Sequence, residues 1–71
     1  VRVLIIGATG LIGSSVAARL KRDGHEIVGA ARRMSAVARR VPADRWEIVD
    51  LSAAAGADWA LLLAGIDAVV N

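Results

Sequence analysis

The sequence predicts an α/β fold built on a parallel sheet, and three observations predict it. Strand-like and helix-like runs alternate along all 71 residues. The first run, "VRVLII", is almost wholly apolar and β-branched, as a strand covered on both faces should be. Three glycines, Gly7, Gly10 and Gly13, then carry the chain into a helix with no intervening loop. Alternation of this kind requires right-handed crossovers, and the doubly wound arrangement orders the strands third, second, first, fourth. About four strands fit the length, so the sheet is expected to be incomplete beside a full doubly wound fold.

The first strand is expected over Val1–Ile6 and the first helix over Leu11–Arg22. Ile12, Val16 and Leu20 share one helical stripe, with Ser14, Ser15, Arg19 and Arg22 on the remainder. Lys21 and Arg22 suit the negative end of the helix dipole, and Gly24 stands where a left-handed C′ residue belongs. "EIVGAA" (Glu26–Ala31) is the second strand. Ser35 can cap a short helix running to about Arg40, closed by Pro42. "RWEIV" (Arg45–Val49) is the third strand, ending at Asp50.

A third helix is marked by Trp59, Leu62, Leu63 and Ile66 at helical spacing, with Gly65 as its stop. Its start falls at Ser52 or at Asp58, because Gly56 weakens the first turn. "DAVVN" (Asp67–Asn71) is the fourth strand. A small chain buries little of its surface, only ~60% near 60 residues. The free edge "DAVV" therefore invites pairing, and the isolated chain is expected to self-associate.

The glycines have a physical purpose in such a fold. A strand that turns sharply into a helix aims unpaired amides, and the positive end of the dipole, at the space above the strand's carboxyl end, which favours phosphate. Gly7 allows the turn, Gly10 clears a side chain from the approach, and Gly13 lets the helix pack closely, with Ala17 keeping the next turn small. The spacing is G-x-x-G-x-x-G, "GATGLIG", one residue longer than the G-x-G-x-x-G fingerprint. No lysine follows Gly13, so the P-loop of nucleotide hydrolases is not present.

"GATGLIGSSVAARL", "GHEIVGAARR", "VDL" and "AGIDAVVN", in that order, resemble the short-chain dehydrogenase/reductase superfamily, in particular its extended and atypical, epimerase/dehydratase-like branches. The resemblance covers the whole chain and implies that residues 1–71 are the N-terminal part of a Rossmann-like dinucleotide-binding domain. It implies cofactor contacts from Gly7, Thr9, Gly10, Leu11, Ile12 and Gly13, from Asp50 and Leu51 beside the adenine, and from Asn71 along the nicotinamide-side ribose. It also places at Ala31 the acidic residue that accepts hydrogen bonds from the adenosine ribose. Alanine stands there instead, followed by Arg32 and Arg33, which can bind a 2′-phosphate. NADP(H) is therefore expected in preference to NAD, with Arg32 the better placed of the two. Asp50 can equally be a helix cap or turn acid, Asn71 a frayed end, and the arginines a solvated loop.

Relatives that perform hydride transfer or epimerisation use a tyrosine and a lysine, usually Y-x-x-x-K, well beyond the fourth strand. This sequence has no tyrosine, and its one lysine, Lys21, lies on the first helix. No side-chain pair here can activate a hydroxyl or carbonyl. The expectation is a cofactor-binding segment of an oxidoreductase or epimerase acting on a small molecule, or else a non-catalytic NADP(H)-sensing or structural module. The absence of cysteine excludes a disulfide framework, and one histidine with no thiol argues against a metal site. The chain is read as cytoplasmic, with no membrane span. A net charge of +2 without interleaved aromatics argues against a nucleic-acid surface, leaving Arg39, Arg40 and Arg45 as a solvated face. His25 reads as a turn residue, and Trp46 and Trp59 as packing.

Overall fold

Three consecutive residues of the first strand, Val3, Leu4 and Ile5, are buried, with Leu4 and Ile5 wholly inaccessible. That can happen only in a strand covered on both faces, because neighbouring side chains point to opposite sides. The computed structural model describes residues 1–71 and contains β1 (Arg2–Ile6), α1 (Leu11–Arg22), β2 (Glu26–Ala31), a 3₁₀ turn (Ala38–Arg40), β3 (Arg45–Ile48), α2 (Gly56–Leu63) and β4 (Ala68–Val70). All strand pairs are parallel, in the order β3-β2-β1-β4, as the alternation predicts.

The two faces of the sheet hold separate apolar clusters. Val3, Ile5 and Ile27 pack with Ala8, Ala17 and Val41 on the α1 side, joined by the half-buried Val16, Leu20 and Trp46. Leu4, Val28 and Ala30 pack with Leu62 on the α2 side, flanked by Trp59 and Ile66. Each fully buried Leu, Ile or Val side chain contributes roughly 1.5–3 kcal/mol of apolar burial, so β1 and β2 carry much of the stability.

Helix α1 ends as expected. Gly24 takes φ +92°, His25 N–H donates to the Leu20 carbonyl at 3.1 Å and Gly24 N–H to Lys21 at 3.1 Å, the paired bonds of a Schellman stop. Between β2 and β3 the expected short helix is a single 3₁₀ turn, with Ser35 Oγ accepting the Ala38 N–H at 3.1 Å. Asp44 then ties three elements together. Its carboxylate accepts the Ile27 N–H at 2.7 Å and the Lys21 ammonium, while its own N–H donates to the Ile27 carbonyl at 2.8 Å.

One expectation needs correction. Helix α2 begins at Gly56, at neither Ser52 nor Asp58, because residues after Asp50 are spent on a turn and the Asp58 carboxylate accepts the Ala55 N–H at 2.9 Å from within the first helical turn. Ile12 shares one face of α1 with Val16 and Leu20, as its spacing predicts, but is 79% exposed where they are half-buried.

Candidate functional site

The strands of a parallel sheet all end on one side, and here Ile6, Ala31, Ile48 and Val70 mark that side. Directly after Ile6 the chain turns at Gly7, with φ +74°, and the Gly10 N–H closes the turn on the Gly7 carbonyl at 3.0 Å. A side chain with a Cβ is strained at such a φ. At Gly13 an added Cβ would overlap the Gly7 carbonyl oxygen and lie 2.9 Å from its carbon and 3.1 Å from the Ala8 α-carbon. Gly13 thus packs on the turn itself. At Gly10 an added Cβ would be 3.3 Å from the same oxygen, a tight but lesser conflict.

No side chain caps α1. Its first backbone donor to find an acceptor is Ser14, whose N–H reaches the Gly10 carbonyl at 2.9 Å. The Ser14 and Ser15 hydroxyls both fold back to the Leu11 carbonyl, at 3.1 and 3.0 Å. The amides of Leu11, Ile12 and Gly13 have no acceptor within the chain. The first turn of α1 holds no acid and the last holds Arg19, Lys21 and Arg22, so nothing negative competes with an anion at the positive end of the dipole.

Three adjoining hollows run along the carboxyl ends of the strands. The central one, about 340 Å³, is bounded by Ile6, Gly7, Thr9, Ala31, Arg32, Val49, Asp50 and Leu51 among others, and is mainly apolar. On its β2 side it meets a polar hollow between Thr9, Ala31, Arg32, Arg33 and Ser35. Towards β4 it shares Ile6 and Gly7 with a third, formed by Gly10, Leu11, Ile12, Gly13, Val16, Val70 and Asn71. Every residue singled out in the sequence as a cofactor contact lines one of the three. Gly7, Thr9 and Arg32 each belong to two, so they form the walls between them.

Asp50 is a turn acid rather than a helix cap. One oxygen, Oδ1, accepts the Ser52 hydroxyl at 2.6 Å and the Ser52 N–H at 3.0 Å. These bonds, the hydroxyl first, hold its carboxyl below the usual range, with a smaller contribution from the nearby Arg32 charge. Its second oxygen has no partner within the chain, and the residue lines the central hollow. Ser52 and Ser35 were not singled out as site residues. Their positions, two after Asp50 and two after Arg33, are the only signal that could have indicated them.

The trough therefore offers unpaired amides, an apolar slot beside an ionised carboxylate, and a guanidinium pair, which suit two anionic groups with a flat ring between them. No potential acid–base pair faces it: Lys21 is at the far end of α1, bound to Asp44. His25 also stands at the opposite end of the sheet, just before β2, and no cluster of His, Asp and Glu suited to a metal ion is formed. Trp46 and Trp59 pack against the two cores rather than facing the trough. An apolar strip along α1, from Leu11 to Leu20, adjoins the third hollow through Leu11, Ile12 and Val16 and carries one charged group, Arg19, which pairs with Asp23 at 3.2 Å. No helix is long and apolar enough to cross a membrane.

A four-stranded parallel sheet in this order, with a glycine turn leading from the first strand into the first helix, is a Rossmann-like α/β unit. The model of the NAD dependent epimerase/dehydratase family matches residues 3–71, and the chain belongs to that family. A nicotinamide dinucleotide is the cofactor this membership implies. Among solved structures, the crystal structure of a structural-genomics target protein from Lactobacillus casei superposes with a TM-score of 0.76 at 30% identity, over 97% of this chain. This chain spans 31% of the length of that one. No curated protein matched.

Proposed function

We propose that this chain forms the NADP(H)-binding N-terminal part of an NAD(P)-dependent oxidoreductase or epimerase. The pyrophosphate would rest on the amides of Leu11, Ile12 and Gly13, with Gly7 and Gly10 allowing its approach. The adenine would occupy the central slot between Arg32 and Leu51, near the free oxygen of Asp50. Thr9 borders both of the first two subsites, and Asn71, with Val70, borders the end where the nicotinamide ribose would lie. Bound there, the dinucleotide would supply hydride-transfer chemistry; these residues would bind and orient it.

The observation that carries the choice of NADP(H) is the polar hollow at the end of β2. Ala31, where an acid would repel a 2′-phosphate, leaves room, and Arg32 and Arg33 border the space. Calorimetric titration with NADPH and NADH tests it. NADPH should bind more tightly, and Arg32→Ala should weaken NADPH by about ten- to a hundredfold, the loss of one charge-assisted contact of ~1.5–3 kcal/mol. NADH affinity should change little. Equal affinities, unaltered by the substitution, would remove the basis for the preference.

A second reading, an NADP(H)-sensing or structural module without chemistry, would use the same site. Assaying the full-length protein for NADPH oxidation at 340 nm against a panel of small carbonyl substrates separates the two.

A further inference from the structure

Between Glu26 and Asp44 the chain contains no acidic residue and four arginines, Arg32, Arg33, Arg39 and Arg40. The net charge of the whole chain is only +2, so this one crossover outweighs the rest of the molecule, which is net negative. All four arginines are exposed and none is in an ion pair, whereas Arg2, Arg19, Lys21 and Arg45 each have a carboxylate partner. Arg32 and Arg33 border the polar hollow. Arg39 and Arg40 do not, yet they are fixed close to it. The Arg39 N–H donates to the Ser35 carbonyl at 3.1 Å, and Ser35 lines the hollow. That backbone bond sets Arg39 one turn from the hollow's rim, and exposed charges act over about 8 Å at physiological salt. Buried Ala38 and Val41 pin the turn and leave Arg39 and Arg40 exposed.

We propose that Arg39 and Arg40 act as a capture field for the 2′-phosphorylated dinucleotide, raising its rate of arrival without touching it once bound. The inference rests on the NADP(H) reading above. A cleft bordered by charges of one sign draws in an opposite charge and accelerates association, and the effect falls steeply with ionic strength. The 2′-phosphate makes NADPH more negative than NADH, so the field discriminates between them during approach, before Arg32 does so by contact.

Stopped-flow fluorescence of NADPH binding to the full-length protein tests this. The double variant Arg39→Gln/Arg40→Gln should slow association about three- to tenfold at low salt, within the range known for steered encounters. Dissociation should be unchanged, the difference should vanish near 0.5 M salt, and NADH should be affected less. Arg39→Lys/Arg40→Lys should restore the rate, because the charge and not the guanidinium geometry is at work. Arg22→Gln, which removes another unpaired arginine at the far end of α1, should leave it unaltered. An association rate equal to wild type at low salt, or a change carried in dissociation, overturns the capture role while leaving the cofactor reading intact. Failure of the wild-type protein to bind NADPH overturns both.

Discussion

The indole of Trp46 packs against Gly29, its cross-strand partner: a Cβ at Gly29 would come within 2.5 Å of Cζ3 and 2.8 Å of Cε3. The missing side chain of β2 is thus the space in which the third strand's largest residue packs. Gly29→Ala should cost about 1–3 kcal/mol, since overpacking forces either ring or backbone aside. Urea unfolding measures it. The cost should largely disappear in a Trp46→Leu background, and an additive result would show that the two positions are not coupled.

Gly13 and Gly10 should separate folding from binding. Gly13→Ala drives a methyl into the Gly7 carbonyl and should lower stability by roughly 1–3 kcal/mol. Gly10→Ala meets the same oxygen only at 3.3 Å, and should leave the melting temperature within a few degrees of wild type while weakening dinucleotide binding. A melting temperature lowered equally by both substitutions would contradict this division.

Ala31→Asp should invert cofactor preference. A carboxylate beside Arg32 would repel a 2′-phosphate and accept hydrogen bonds from an unmodified ribose. NADPH affinity is expected to fall by about tenfold or more and NADH affinity to hold or rise, on the scale of ~1.4 kcal/mol per decade. Paired titrations at one salt concentration measure the ratio, and a parallel loss of both affinities would speak against the placement of the ribose.

Acid should loosen the Asp44 junction. The Ile27 N–H first, and the Lys21 ammonium second, hold the Asp44 carboxyl below its ordinary value. The folded state therefore binds this proton less readily than the unfolded chain, whose aspartates titrate near about 3.9. The contribution is present above that pH and is lost as pH falls through the folded value. Asp44→Asn should lower the melting temperature at pH 7 and flatten its decline below about pH 4, where Asp50 contributes a similar dependence through Ser52. Identical slopes for variant and wild type would rule out Asp44 as a source.

The β4 edge should mediate self-association of the isolated chain. Val69 is 47% exposed on a strand paired only with β1. Val69→Lys places a charge on that edge, and light scattering at high concentration should show smaller species than wild type. A monodisperse wild-type monomer would end the idea.

How far the sequence could be read depended on whether local chemistry or tertiary context decided each feature. The bounds of α1 were legible because Gly10 and Gly24 mark them by backbone geometry alone. The central strands were legible because unbroken apolar runs have few other uses. The stripe of Ile12, Val16 and Leu20 was legible too, but helical spacing does not say how much of each residue is covered, and Ile12 is 79% exposed. The start of α2 was equally hidden, set by the Asp50–Ser52 turn and the Asp58 bond to Ala55 rather than by any apolar period. For the trough, the glycines and arginines were visible as motifs, but that Arg32 stands as a wall between two hollows needed coordinates.

The turn from Gly7 to Gly13 presents main chain, while the end of β2 presents side chains. These surfaces age differently under mutation. Only proline can take an amide away, so the glycine turn is otherwise damaged by adding bulk, and at Gly13 such a change threatens the fold as well. Arg32 and Arg33 are exposed and make no side-chain hydrogen bond, so exchanging either should matter little for folding. A lineage carrying this architecture can therefore keep its grip on the shared body of a ligand while drifting freely between forms that differ by a single group.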